Sequence, residues 1–183
     1  RHVAMSSTSR ISSALGPVGE VGLIVQSGAL GSALLEEAAR GGIGLSHLIS
    51  TGNEAVSGLA DFIEYLADDP QTKAIALYVE GFREPDRVLD AARKVVIYKT
   101  GRSDAGRRSA AGHTGALVGA RGAYEAAVHQ FGWIDVRAIE DLLPVANYAA
   151  RSGAANTMGI ITVSGGFGGC VADALEETGV ISL

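Results

Sequence analysis

One histidine of this 183-residue chain lies where its ring could do chemistry. His113 sits in the glycine-rich cationic stretch GRSDAGRRSAAGHTGAL, which runs from Gly101 to Leu117. Gly112 on one side and Thr114-Gly115 on the other leave the backbone unhindered, so the ring can project from a loop. The guanidinium groups of the stretch, whose fork geometry suits phosphate oxygens, belong to Arg102, Arg107 and Arg108. The stretch predicts a loop histidine that carries or meets a phosphoryl group; the alternative is a solvated surface loop.

Two further motifs predict helix starts of the kind that bind anions. In QSGALG, Ser27 can cap a helix that opens near Gly28 and leaves free N–H groups outward, although an ordinary N-cap would have the same sequence. In SGGFGG, Gly165 and Gly166 form a turn that permits close approach of a ligand or simply close helix packing. The pattern G-x-G-x-x-G and the P-loop pattern are both absent from the sequence.

Glu80 ends an apolar strand-like run, AIALYVEG, and is the acidic candidate of the site. A carboxylate at that position can accept a hydrogen bond from an imidazole N–H, which fixes the tautomer and makes the other ring nitrogen a better nucleophile. The alternative is a solvated glutamate at a strand end. Lys99 and Arg102 either neutralise a ligand or pair with nearby acids.

The elements that must position these residues alternate between strands and helices. Apolar runs predict strands at 21–26, 45–50, from 73 to about 79, and 95–98, with a short edge strand at 135–136. Helices are predicted at about 29–40, 57–67, 84–93, 115–130 and 139–151. This pattern is typical of an α/β fold with an open, doubly wound, mainly parallel sheet, in which ligands bind at the carboxyl ends of the strands.

The end of the chain predicts a second unit of the same design. RSGAANT, residues 151–157, reads as a linker, and 158–163 as a new strand that leads into the SGGFGG turn and a helix. Cys170 in that helix is expected to be a small core residue. Arg93 ends one predicted helix and Val95 begins the next strand, so that either the helix ends early or residues are absent there.

Composition narrows the class of protein. The net charge of −5 argues against a general nucleic-acid binder, and no apolar run is long enough to cross a membrane. A single cysteine favours a reducing, cytoplasmic compartment, and the four scattered histidines give no metal-site spacing. The chain opens on Arg1 and stops just after a strand-like VISL, which indicates a piece of a larger protein.

Six motifs in order give the sequence a family resemblance. They are QSGAL-G, S-T-GNEA, DP-TK-IALYVEG, YKTGRS-AG, GHTGAL and SGGFG, and they span roughly residues 17–183. The chain resembles the nucleoside-diphosphate-forming acyl-CoA synthetases, a group that is similar to the alpha subunit of succinyl-CoA synthetase and includes ADP-forming acetyl-CoA synthetases. The resemblance implies a flavodoxin-like CoA-ligase domain at 17–150, preceded by a tail at 1–16 and followed, after the linker, by the start of a second similar domain at 158–183.

The resemblance also implies roles for the candidate residues. His113 would be a phosphohistidine that shuttles phosphate between nucleotide and acyl phosphate, and Glu80 would orient its ring. The phosphate would be bound at the helix starts and beside the histidine by Ser27, Gly28, Thr114, Gly115, Gly165 and Gly166. The chain itself would hold no cofactor or metal.

The family's other parts are expected outside this chain. CoA or acyl-CoA, phosphate, ATP or ADP and Mg are expected for the full enzyme, with an ATP-grasp domain or subunit and an oligomeric assembly, so the piece alone would be inactive. Two alternatives remain. One is a regulatory domain of the same ancestry fused to an acyltransferase, which tends to lose the histidine that is present here. The other is a nucleotide-binding or partner-docking module without phosphotransfer.

Overall fold

The computed structural model describes residues 16–52, 54, 56–84, 87–88, 94–106, 108, 121–152 and 159–177. The chain divides into two compact units, Arg1–Arg151 and Ser152–Leu183, and each is described by itself. Most of the predicted helix at 84–93, the spacing at Arg93, the start of the helix at 115–130 and most of the linker lie outside the described residues. Those predictions therefore stay predictions.

The first unit is built on a five-stranded parallel sheet. Its strands are β1 (Val18–Val25), β2 (Leu45–Ser50), β3 (Ala74–Val79), β4 (Val95–Lys99) and β5 (Ile134–Asp135). Their order across the sheet is β2-β1-β3-β4-β5, and every neighbouring pair runs parallel. This is the flavodoxin-like order, with its switch point between β1 and β3. The predicted parallel α/β sheet and its short edge strand are confirmed.

Helices cover both faces of the sheet. The described helices of this unit are α1 (Gly28–Arg40), α2 (Leu59–Asp68), α3 (Arg121–Gln130) and α4 (Leu142–Arg151), the last preceded by a 3₁₀ turn at Ile139–Asp141. Side chains of α1 and α4 pack on one face, and those of α2 and α3 on the other. Alternate residues of β1 supply both layers, because Leu23 lies in the first core and Ile24 in the second. The sheet is therefore doubly wound, as predicted.

The start and end of α1 follow from local chemistry. Ser27 has extended backbone angles, and its Oγ accepts a hydrogen bond from the N–H of Leu30 at 3.4 Å. At the other end the chain leaves the helix through Gly41 and through Gly42, which has a φ of +65°. This helix therefore begins directly at the carboxyl end of β1.

Part of the stretch that was expected to be a loop is helical. Residues 104–106 form a helical turn, and Ser103 caps it by accepting a hydrogen bond from the N–H of Gly106 at 3.0 Å. Ser103 is therefore an N-cap, which is a common role for serine before a helical turn.

The second unit contains one described helix, α5 (Gly165–Glu177). The prediction of a strand at 158–163 is wrong for the described residues 159–163, which form neither strand nor helix. A strand requires a hydrogen-bonded neighbour, and no described residue pairs with this segment, so Ile161 and Val163 are fully exposed. Cys170, in α5, is also exposed, so the expectation that it lies in a core is wrong.

Candidate functional site

The carboxyl ends of β1 to β4 meet at one edge of the sheet, with the switch point at the ends of β1 and β3. Gln26 follows β1, Thr51 follows β2, Glu80 follows β3 and Thr100 follows β4. In sheets of this order, ligands bind in the crevice at the switch point. The candidate site therefore lies at the carboxyl ends of β1 and β3.

The Gln26 side chain bridges three of these strand ends. Its Oε1 accepts hydrogen bonds from the backbone N–H groups of Glu80 (2.5 Å) and Gly81 (3.0 Å). Its Nε2 donates to the carbonyl oxygen of Gly81 (2.8 Å) and to Oε1 of Glu54 (2.6 Å). Gln26 therefore joins the turn after β2 to the turn after β3 across the switch point.

Glu54 occupies an unusual backbone conformation in the turn after β2. Its φ is +51°, the left-handed region that side chains other than Asn and Asp seldom adopt. Its Oε1 also accepts a hydrogen bond from the Thr51 hydroxyl at 3.2 Å. Strained backbone of this kind persists where surrounding contacts determine it, and it is common at functional sites. Together with the Gln26 bond, the Thr51 contact fixes a second carboxylate near the switch point.

Glu80 lies where the sequence predicted, directly after β3. Its backbone is held from both sides, because its N–H donates to Gln26 and its carbonyl oxygen accepts from Nζ of Lys99 at 3.1 Å. The residue is half-buried. Among the described residues, none donates a hydrogen bond to the Glu80 carboxylate.

Lys99 is buried at the end of β4. Its Nζ donates to the carbonyl oxygens of Glu80 and Thr100, both at 3.1 Å. Burial, and secondarily the charge of Arg102, lowers the pKa of Lys99 below its usual value. Of the two predicted roles, ligand neutralisation or pairing with an acid, the described contacts support neither. The lysine holds main-chain carbonyls instead.

Arg102 pairs with an acid, which is the second of its predicted roles. Its Nη1 and Nη2 form a bidentate pair with Asp135, and Nη2 also donates to the carbonyl oxygen of Val136 at 2.8 Å. The guanidinium lies 5.8 Å from the ring centroid of Tyr124, whose hydroxyl donates to Asp135 at 2.6 Å. Burial, followed by the Asp135 carboxylate, raises the pKa of Tyr124 above its usual range. The fork of Arg102 is thus occupied by a carboxylate.

The predicted anion site at α1 stands at the same edge. Ser27 is half-buried and Gly28 is exposed, and a Cβ at Gly28 would meet nothing closer than the Ser50 hydroxyl at 3.6 Å. The first N–H groups of a helix carry partial positive charge and suit an anion. A helix N-terminus therefore follows β1, and a half-buried glutamate follows the adjoining strand β3.

The remaining predicted residues are not tested by this geometry. His113, Thr114 and Gly115 lie outside the described residues. Gly165 and Gly166 open α5 in the second unit, where Ser164 accepts a hydrogen bond from the N–H of Phe167 at 3.3 Å. Their assignment to the phosphate site, and the contact between His113 and Glu80, stay predictions.

Other features of the described residues are remote from this edge. A cavity of about 290 Å³ lies at the amino end of β1, and its lining includes Gly19, Glu20 and Arg151. In the part of the chain that the structure describes, no group of three His, Cys, Asp or Glu residues could hold a metal ion. No described helix is long and apolar enough to cross a membrane.

Gln26 and Glu54 were not predicted from the sequence as functional residues. The signal was their position, since Gln26 stands between an apolar strand and an N-cap and Glu54 lies in the TGNEA turn after the second strand. Because all parallel strands end at one edge, polar residues at these two positions must come close to Glu80. The hydrogen bonds between them require the three-dimensional arrangement.

The fold and this edge define a flavodoxin-like domain whose parallel sheet carries its polar groups at the β1/β3 switch point. The family model for the succinyl-CoA ligase like flavodoxin domain matches residues 18–149. The chain belongs to this family, and the resemblance noted in the sequence is confirmed.

Individual relatives share more of the chain. It is 39% identical to the alpha subunit of the ADP-forming acetate–CoA ligase II of Pyrococcus furiosus over 88% of its own length and 37% of that subunit. Identity to the ADP-forming acetate–CoA ligase I of Archaeoglobus fulgidus is 38%, over 88% of this chain and 24% of that protein. The structure matches the acetyl-coenzyme A synthetase 1 of Ca. Korarchaeum cryptofilum, solved with phosphate and ADP, with a TM-score of 0.83 and 30% identity. That match covers 90% of this chain and 38% of the other.

The chain thus spans about a quarter to two fifths of these relatives. The similarity therefore covers only part of each of these larger proteins.

Proposed function

We propose that the complete protein is a nucleoside-diphosphate-forming acyl-CoA synthetase that interconverts acyl-CoA, ADP and phosphate with the free acid, CoA and ATP. The observation that carries the proposal is the half-buried Glu80 carboxylate at the switch point, beside the strand that leads into the N-terminus of α1. A carboxylate and a helix N-terminus are the two groups that a phosphorylated imidazole needs, one for its N–H and one for its phosphate.

The reaction runs through His113 in three transfers. Phosphate displaces CoA from the acyl-CoA, which forms an acyl phosphate and free CoA. A nitrogen of His113 then attacks that phosphorus, the bond to the acyl oxygen breaks, and the acid leaves. Finally ADP takes the phosphoryl group from the histidine, which yields ATP and restores the imidazole. Each step is reversible.

Glu80 is assigned the role of orienting His113. Its carboxylate accepts the hydrogen bond of one ring N–H, so that the other nitrogen carries the lone pair that attacks phosphorus. The positive charge that develops on the ring is stabilised by the same carboxylate. Because the Glu80 backbone is held by Gln26 and Lys99, the carboxylate needs little reorganisation when the histidine arrives.

Ser27 and Gly28 are assigned to the phosphate. A helix N-terminus favours an anion by about 0.3 to 1 kcal/mol, and up to ~2 kcal/mol in partly buried sites. Thr114 and Gly115 would add donors beside the histidine, and Gly165 and Gly166 those of a second helix start. CoA, ATP or ADP, and Mg are assigned to the full enzyme.

The partners follow from the relatives and their lengths. One relative is named as an alpha subunit, whereas another is named without a subunit, and this chain covers 24% of it. On the family resemblance, we assign the nucleotide step to an ATP-grasp domain or subunit of an oligomeric enzyme, and on the single cysteine we propose a cytoplasmic location. The presence of His113 in the sequence favours this enzyme over a regulatory domain of the same ancestry.

The test is transfer of label from γ-phosphate-labelled ATP to the complete protein. We expect an acid-labile, base-stable label that disappears in His113→Ala and persists in His129→Ala, because His129 is an exposed residue of α3. Equal labelling of the wild type and His113→Ala would sink the proposal.

The same assay tests the role of Glu80. Glu80→Gln should slow labelling by ~10²-fold, in the range of general acid–base contributions, while the fold is retained. Glu84→Gln, four residues further on and exposed, is the control with unchanged labelling. Unchanged turnover in Glu80→Gln would remove the orienting role.

A further inference from the structure

The carboxamide of Gln26 uses its full hydrogen-bonding capacity at the switch point. Its oxygen has two acceptor sites, which take the N–H groups of Glu80 and Gly81. Its nitrogen has two donors, which go to the Gly81 carbonyl and the Glu54 carboxylate. A side chain with all four positions engaged is held in a single orientation.

The identity of the four partners also excludes the flipped amide. If oxygen and nitrogen were exchanged, the NH₂ group would face two N–H donors and the oxygen would face a carbonyl and a carboxylate. Each of these contacts would be repulsive. Glu54, in its positive-φ turn, is therefore one of the contacts that fix which end of the Gln26 amide faces Glu80.

Glu80 is thereby held by main-chain bonds on both sides. Gln26 accepts its N–H from the β1 side, and Lys99 donates to its carbonyl from the β4 side. These bonds fix the backbone from which the Glu80 side chain extends. No described residue donates a hydrogen bond to its carboxylate. A fixed main chain combined with an unbonded carboxylate suits a residue whose carboxylate must be kept in place for another group.

We propose that Gln26 is a positioning residue for Glu80, and that the Glu54 carboxylate supports the orientation of the Gln26 amide by accepting one of its two N–H bonds. This inference rests on the proposed phosphohistidine function. Gln26 acts on the reaction only through Glu80, so its loss should affect the rate of phosphoryl transfer and depend on whether Glu80 is present. Glu54 contributes its charge to the Gln26 bond.

The first experiment reverses the polarity of the Gln26–Glu54 pair in the complete protein. Gln26→Glu keeps the size of the side chain but opposes the Glu54 carboxylate with a second one, and we expect His113 labelling to slow by ~tenfold or more. Adding Glu54→Gln restores a donor opposite an acceptor, and the double variant should regain at least about threefold. Gln71→Glu, at an exposed site whose amide bonds only weakly to Gly19, is the matched control without effect.

A double-mutant cycle separates positioning from general stabilisation. Gln26→Met keeps a side chain of similar length but removes all four hydrogen bonds. In the wild-type background it should slow labelling by ~tenfold. In the Glu80→Gln background the same change should cost less than about threefold, because the carboxylate that it positions is already gone. Thermal midpoints measured in parallel identify any variant that does not fold. In that case Glu54→Gly, which suits the φ of +51°, replaces it and should slow labelling by ~threefold.

Three results would overturn the proposal. These are a double variant no faster than Gln26→Glu alone, effects of Gln26→Met and Glu80→Gln that simply multiply, or unchanged labelling in the folded Glu54→Gly protein. Failure of the proposed function looks different, since His113→Ala would then be labelled like the wild type. Loss of label in His113→Ala with no effect at Gln26 would reject only the positioning role.

Discussion

Arg102 and Gln26 show how much the role of a residue depends on its partners. The sequence places Arg102 in a cationic stretch beside His113, where a guanidinium fork suits phosphate. In the structure the Arg102 guanidinium pairs with Asp135. The side chain that bridges the strand ends at the switch point is the neutral amide of Gln26. Residue type and position were read correctly, but the choice between two partners for Arg102 depends on which acid the fold brings near.

Replacing Arg102 should therefore test stability at the residue scale. Arg102→Ala removes the bidentate guanidinium partner of the partly buried Asp135 and the donor that this side chain gives to the Val136 carbonyl, and should lower the free energy of unfolding by about 2 kcal/mol. Urea unfolding of the complete protein, followed at the transition of this unit, measures the change. Arg83→Ala, at an exposed position, should change the free energy by less than ~0.5 kcal/mol. Equal effects of the two substitutions would contradict the assigned pairing.

At the scale of elements, apolar runs predicted the strands well. The second strand has the predicted bounds, the fourth extends one residue further, and α1 and α2 begin within two residues of their predicted starts. These runs are buried on both faces of a parallel sheet, so their sequences are almost continuously apolar. The strand predicted at 158–163 has the same composition but no described neighbour, because pairing is not encoded in the segment itself.

Close backbone approach between β1 and the chain before β2 is a second property of the elements. A Cβ at Gly44 would lie 2.6 Å from the Cα of Gly19, so Gly44→Ala requires the backbone to shift. We expect a loss of about 2 to 3 kcal/mol in unfolding free energy. Gly41→Ala is the matched control three residues earlier, where a Cβ would lie 3.4 Å from the carbonyl oxygen of Glu37 and φ is −79°. Similar thermal midpoints for both variants would refute the tight approach.

At the scale of the whole molecule, buried tyrosines link stability to pH. Burial raises the pKa of both Tyr124 and Tyr78 above the usual value near 10. Above that pH the unfolded chain loses tyrosine protons that the folded chain keeps. The stabilising contribution is therefore complete below about pH 10 and is lost as pH rises toward the folded pKa. The lowered pKa of Lys99 acts in the opposite direction, because deprotonation relieves the cost of burying its charge.

The loss of stability as pH rises above about 9.5 should consequently depend on Tyr124. In Tyr124→Phe the thermal midpoint is lower at neutral pH, because the hydrogen bond to Asp135 is lost, but it should fall less steeply between about pH 9.5 and 11. Calorimetry of the complete protein across this range measures the slopes. Tyr148→Phe, at an exposed position, should keep the wild-type slope. Parallel curves for the wild type and Tyr124→Phe would rule out the linkage.

The sequence by itself determined the alternation of strands and helices, the doubly wound sheet, the family and the position of Glu80 after β3. These depend on apolar periodicity and on motifs, which are local in the chain. Only the tertiary structure decided that Asp135 takes Arg102, that Lys99 holds carbonyls, and that Gln26 joins Glu54 to Glu80. Apart from the bond of Lys99 to the neighbouring Thr100 carbonyl, these contacts link residues 19 to 54 positions apart, and hydrogen bonds over such distances exist only once parallel strand ends have been brought to one edge.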